Sequence, residues 1–141
     1  MAEMNIIQAV SDAMRVATCD LGLGWVACSE GALDLADQHI RCGLETFERL
    51  GNQEKMGTAH NMLGEAARAR GAVEEAVEHY RRALALHDNC GATASATIAE
   101  LNLSIVLVGT DRTREARAGV QRRLRTMIGL GHGQFVDAAK L

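Results

Sequence analysis

The sequence repeats itself with a period of forty residues. When the chain is aligned with itself at this shift, Leu23, Leu63 and Leu103 coincide, and the register continues without a gap. The other coincident positions are Gly24, Gly64 and Ser104; Ala27, Ala67 and Leu107; Gly31, Gly71 and Asp111; Ala36, Ala76 and Ala116; Ile40, Tyr80 and Val120; and Leu44, Leu84 and Leu124. Chance does not produce so many matches in one register, so the chain contains one structural unit three times.

Each unit is predicted to consist of two antiparallel helices. The chain contains no proline, is rich in alanine, leucine, glutamate and arginine, and shows no strand-like alternation of apolar and polar residues. In the middle unit the helices are predicted at about 53–70 and 73–87, with Gly71 in the turn between them. We expect Asn52 to cap the first of these helices and Asp111 to cap the last helix of the third unit. The fold class is therefore all-α.

The size of the repeated residues indicates how the two helices of a unit pack. Gly64 and Ala76 are small where the two helices are expected to approach closely. Leu63, Tyr80 and Leu84 are large, and they are expected to fill the space between the helices and toward the next unit.

The pattern resembles the tetratricopeptide repeat (TPR), whose signature is W-x2-L-G-x2-Y followed by A-x3-F. The middle unit matches this signature with His60, Leu63, Gly64, Ala67, Ala76 and Tyr80, and the first unit with Asp20, Leu23, Gly24, Ala27, Ala36 and Ile40. The third unit is degraded, since Ser104 and Asp111 replace glycines. The resemblance implies a right-handed superhelical array of antiparallel helix pairs. It also implies that the first helix of each unit lines a concave groove.

Two features depart from the family pattern. The closing proline is absent, with Asp88 near its place, and the period is forty residues instead of the commoner 34. The forty-residue form is similar to repeats in large bacterial regulators, such as the C-terminal arrays of Ser/Thr kinases and of transcription activators.

We predict one domain over residues 1–141, with repeats at about 12–50, 51–90 and 91–130. The same register makes residues 1–10 the end of an earlier second helix and residues 134–141 the start of a fourth first helix. These terminal segments, 1–11 and 131–141, are either shortened caps or edges of a longer array. We favour edges, because they carry Ile6, Ile7, Phe135 and Val136 where a cap would present a polar face.

The resemblance also implies which residues face a partner. Carried over by position, the groove residues are Thr18, Leu21, Trp25 and Cys28; Thr58, Asn61, Glu65 and Arg68; and Ile98, Leu101, Ile105 and Val108. The groove is then polar in its centre and apolar on both flanks. Asn61 is suited to hydrogen-bond a peptide backbone, Arg68 to pair with a carboxylate, and Trp25 to anchor an apolar side chain. The alternative is that Leu21, Trp25, Leu101, Ile105 and Val108 are simply buried.

Composition and charge argue against several other functions. The net charge of -3 does not favour a nucleic-acid binder, and the six arginines between Arg112 and Arg125 lack interleaved aromatic residues. They are expected to form the solvated face of a helix.

The five histidines are scattered and predicted to lie at the surface, and the four cysteines form no CxxC pair. We therefore expect no enzyme activity, metal or cofactor.

The N-terminus lacks the pattern of a secretory signal, and no apolar run approaches the ~18 residues that span a bilayer. A cytoplasmic protein without a membrane segment is expected.

The sequence thus predicts an interaction module that binds a protein or peptide, as part of a bacterial signalling protein. The alternative is an oligomerisation module in which apolar stripes and open array ends meet a second copy. A groove that senses a small molecule is a third hypothesis.

Overall fold

The computed structural model describes residues 2–129, with side chains from Asn5 onward. Its elements are α1 (Ala2–Ser29), α2 (Leu33–Leu50), α3 (Gln53–Arg70), α4 (Val73–Asn89), α5 (Thr93–Gly109) and α6 (Thr113–Gly129). No strand occurs in this range, so the predicted all-α class is confirmed. The fourth first helix predicted at residues 134–141, together with Phe135 and Val136, lies outside the described residues.

The helices pack as consecutive antiparallel pairs. α1 packs on α2, α3 on α4 and α5 on α6, and the pairs are joined through contacts of α2 with α3 and of α4 with α5. Each of the two hydrophobic clusters extends over two units: one combines Ile40 and Phe47 with Leu63, and the other combines Tyr80 with Leu103. The core therefore runs along an α-helical repeat solenoid, in which each unit depends on its neighbour for burial.

The turns between helices explain the spacing of the glycines. Four consecutive turns place a glycine in the left-handed backbone region, at Gly31, Gly51, Gly71 and Gly91. At the fifth turn Asp111 has the same conformation, with φ at 60°, and it is the only non-glycine residue with positive φ among residues 2–129. The expectation that Asp111 caps α6 was wrong: it occupies the glycine position that ends α5, at a conformational cost. Asn52 does cap α3, accepting a hydrogen bond from the Lys55 backbone N–H at 3.1 Å.

α1 is about ten residues longer than the other helices. Residues 1–10 were expected to end a separate second helix, but they continue α1 without interruption from Ala2. The reason lies at Ser11, which stands where the register places Gly51 and Gly91. Without glycine the left-handed turn is costly, and the chain stays helical. The extension leaves Ile6 and Ile7 exposed to solvent.

Close contact between the two helices of a unit depends on glycine. A Cβ atom at Gly64 would lie 2.7 Å from Cδ1 of the fully buried Tyr80, and one at Gly24 would lie 2.5 Å from Cγ1 of Ile40. The predicted close approach at Gly64 is thus present in the first two units. In the third, Ser104 and Val120 replace the glycine and the large residue.

We predict that Gly64→Ala destabilises the protein by about 2 kcal/mol. Tyr80 is fully buried and cannot move aside, so the added methyl group overpacks the interface between α3 and α4. The free energy of unfolding, measured with urea, tests this.

Gly22→Ala is the matched control, because a Cβ there meets no atom within 4 Å and Gly22 also lies within a helix. This variant should gain about 0.5–1 kcal/mol from helix propensity alone. Equal effects of the two substitutions would contradict the packing described for Gly64.

Candidate functional site

The first helices of the units line the inner side of the array. α1 contacts α3 and α3 contacts α5, whereas α2, α4 and α6 make no comparable contacts with one another. The array therefore curves toward α1, α3 and α5. The groove expected from the resemblance lies on this side, and its floor consists of three neighbouring helices.

Most of the predicted groove residues are accessible, but one is not. Trp25, Ile98, Leu101, Ile105 and Val108 are each more than half exposed. Thr18 and Arg68 are also exposed, while Cys28, Thr58, Asn61 and Glu65 are half-buried. Leu21 is only 5% exposed, so its inclusion in the groove was wrong. It packs in the cluster that joins the first two units, because α3 covers it.

The polar centre of the groove is held by hydrogen bonds across helices. The Tyr80 hydroxyl donates to Oε1 of Glu65 at 2.5 Å, and Nη2 of Arg68 donates to Oε2 of the same carboxylate at 2.7 Å. Burial and the bond to Glu65 raise the pKa of Tyr80, so its hydroxyl keeps its proton. Nδ2 of Asn102 donates to Oδ1 of Asn61 at 3.1 Å. These contacts fix Glu65 and Asn61 and orient Arg68, which remains partly exposed.

A buried histidine pair connects the two helices of the middle unit. Nδ1 of His60 lies 3.1 Å from Nδ1 of His79, and the two rings are stacked with centroids 5.3 Å apart. Both side chains are buried, and so is His87. The prediction that the histidines lie at the surface was wrong for these three, because the register places them at helix–helix contacts.

The environment of the pair keeps both rings neutral. Desolvation, with the neighbouring His79 as the next cause, lowers the pKa of His60 to about 4. Desolvation, together with Arg41, also lowers the pKa of His79. Since the two Nδ1 atoms face each other, one must donate the proton that the other accepts. A second proton between the two Nδ1 atoms would create one buried imidazolium and leave two N–H groups facing each other without an acceptor.

The same pair of positions is occupied differently in each unit. In the first unit Asp20 faces His39, with Oδ1 3.5 Å from Nδ1, and in the third unit Glu100 packs over Gly119. The residues of each pair are nineteen positions apart, and the pairs recur every forty residues. Sequence reasoning missed this contact, although the constant nineteen-residue spacing was a usable signal.

The part of the chain that the structure describes holds no cluster of side chains suited to binding a metal ion. No three histidine, cysteine, aspartate or glutamate residues between positions 2 and 129 are placed to share a metal ion. No described helix is both long and apolar enough to cross a membrane. In the arginine strip, Arg112 pairs with Glu74 at 3.2 Å and Arg123 with Asp88 at 2.6 Å. Its other four arginines are exposed on α6.

This geometry defines the fold: an all-α, TPR-like helical repeat solenoid. Two solved structures share the fold, each with a TM-score of 0.73. BtubC (BKLC) from P. vanneervenii is 25% identical over 83% of this chain, and the TPR domain of Arabidopsis FLU is 15% identical over 82%.

The match covers 97% of the FLU domain but 49% of BtubC, so the chain spans about half the length of BtubC. No protein-family model matches the sequence, and no curated protein matches it significantly.

The histidine pair predicts a specific loss of stability in acid. A histidine with a lowered pKa in the folded state contributes stability that is complete above pH 6.5 and is lost as the pH falls toward 4. We expect a variant with His60→Gln and His79→Gln to lose about 2 kcal/mol less than the wild type between pH 7 and pH 4.5. Urea unfolding at the two pH values measures this difference.

The surrounding charged groups, Arg41, Arg82, Glu75 and Glu78, are present in both proteins, as is the buried His87. The comparison therefore isolates the effect of the two substituted histidines. An identical pH dependence in the two proteins would contradict a neutral pair.

Proposed function

We propose that this chain binds a peptide segment of a protein partner on the inner side of the array. One observation carries the proposal: at the groove positions of the first helices, five large apolar side chains are each more than half exposed. They are Trp25 on α1 and Ile98, Leu101, Ile105 and Val108 on α5. Exposed apolar surface of this extent is characteristic of interaction sites.

The polar residues between the apolar flanks define the chemistry of the ligand. Arg68 is held by Glu65 at 2.7 Å, and its side chain is 47% exposed. An oriented guanidinium group of this kind pairs well with a carboxylate. The favoured ligand is a segment with an acidic residue between apolar residues, one of which contacts Trp25.

The cellular setting is part of the proposal. The resemblance of the forty-residue period to repeats of bacterial regulators supports a role in a bacterial signalling or regulatory protein. All four cysteines are unpaired, which agrees with a reducing compartment such as the cytoplasm.

Trp25 provides a direct assay, because it is the only tryptophan in the chain. Peptides selected from a random displayed library on the immobilised protein should shift the Trp25 emission to shorter wavelength as the indole loses water. Arg68→Ala should weaken their binding about 5- to 30-fold by removing a charge-assisted contact. Fluorescence titration measures both effects.

Arg82→Ala is the matched control, since Arg82 is also about half exposed but lies on α4 and pairs with Glu78. It should leave binding unchanged. Asn61→Ala is a less clean test because Asn61 also bonds to Asn102. Selected peptides that bind without changing Trp25 emission, and equally to the Arg68 variant, would disprove binding in the groove.

A further inference from the structure

The third unit exposes a surface whose equivalent is buried in the first unit. Val120, Leu124 and Met127, which we call the rear face, line one cleft between α5 and α6. All three are exposed, Leu124 by 52%. Their equivalents in the first unit are Ile40, Leu44 and Phe47, which are at most 6% exposed. The difference arises because α3 covers the first unit, whereas no described helix covers the third.

The first unit exposes the opposite surface. Val16, Cys19, Leu23 and Val26, which we call the front face, lie exposed on α1. Their equivalents on α3 pack against the preceding unit, and Ala59 and Leu63 belong to the first core cluster. On α5 the equivalents Leu103 and Val106 pack against the second unit in the same way. Within residues 2–129, the chain therefore presents one unpartnered copy of each side of its own internal contact.

We propose that the front face of one copy packs on the rear face of another, so that the array continues from copy to copy. The two internal contacts, α2 with α3 and α4 with α5, show that surfaces of these two kinds fit together. The occupant of the rear face is then α1 of a second copy, in the place that α3 and α5 take on the earlier units. Such a contact is heterologous and can extend into longer assemblies.

Charge favours this head-to-tail arrangement over a symmetric dimer. Residues 12–50 contain seven acidic and three basic residues, whereas residues 91–130 contain three acidic and six basic residues. Packing front on rear brings an acidic unit to a basic one. A front-to-front or rear-to-rear dimer would bring like charges together.

Ion pairs cross both internal contacts between units, whereas the equivalent positions in the proposed contact are uncharged. Arg41 pairs with Glu75 at 3.9 Å, and at the equivalent positions Arg81 pairs with Glu115. In the proposed contact between copies, the equivalent positions are Gln121 of one copy and Leu35 of the next. Neither residue is charged, so the proposed contact buries no unpaired charge at this position.

The test uses two single variants of the full chain. Leu23→Asp places a charge on the front face and Leu124→Asp places one on the rear face. Both residues are 52% exposed in the isolated chain, so neither change should disturb folding. Sedimentation velocity over a hundredfold concentration range should show association of the wild type. Each variant alone should remain at 15.1 kDa, its association weakened at least about 100-fold.

Mixing the two variants gives the decisive result. Each retains one intact face, so an equimolar mixture should form a dimer and nothing larger, and added salt should weaken it. Ala85→Asp, an exposed position of the middle unit, is the control and should associate like the wild type.

Three outcomes would overturn the proposal: a wild type that stays monomeric, a mixture that stays monomeric, or association abolished by only one variant. In the first case, renewed association after removal of residues 130–141 would identify that segment as the occupant. In the last case the dimer is symmetric.

Discussion

The architecture depends on burial of each unit's apolar face by the first helix of the next unit. A pair of helices buries the surface between them, as Gly64 and Tyr80 do, but it leaves a second apolar surface open. Ile40 packs against Gly24 within its own unit, and Leu44 and Phe47 join it in a cluster that includes Leu63 of α3. Two hydrophobic clusters that extend across unit boundaries are the direct result.

Polar contacts add to this apolar framework, but the fold does not depend on them. Nδ1 of His60 and Nδ1 of His79 occupy positions where the first unit has Asp20 and His39 and the third has Glu100 and Gly119. Three different pairs at one site show that the backbone geometry does not require any of them. In the groove, too, polar contacts position side chains: the two carboxylate oxygens of Glu65 accept hydrogen bonds from Tyr80 and Arg68. The candidate binding groups therefore lie on a scaffold whose shape is determined by apolar packing.

Much of the fold could be predicted from the repeat. The period located α3 at residues 53–70, as observed, and the small residue at Gly64 correctly indicated a close approach to the facing helix. Local pattern was less informative where a single residue broke the register. Ser11 replaces a turn glycine, so α1 continues through the predicted boundary. Asp111 replaces another glycine but still adopts its left-handed conformation, because packing of α6 outweighs the cost of that turn.

The candidate site was harder to predict, because exposure depends on which helix comes next. Leu21 and Leu101 are the same position of the repeat, yet one is buried and the other is 51% exposed. No property of either residue distinguishes them. The histidine contact also depends on the relative placement of two helices, which a pattern along one helix does not contain. The family resemblance placed the candidate residues on the first helices, but it did not predict the accessibility of each one.

The left-handed Asp111 has a consequence for the order in which the array comes apart. Among residues 2–129 the middle unit is packed on both sides, whereas the third unit is packed on one side and is joined internally through a strained turn. Its helices therefore have the lowest free energy of local opening, and amide protons of α6 should exchange with solvent before those of α3 and α4. The array then unfolds one unit after another, from the third unit toward the centre.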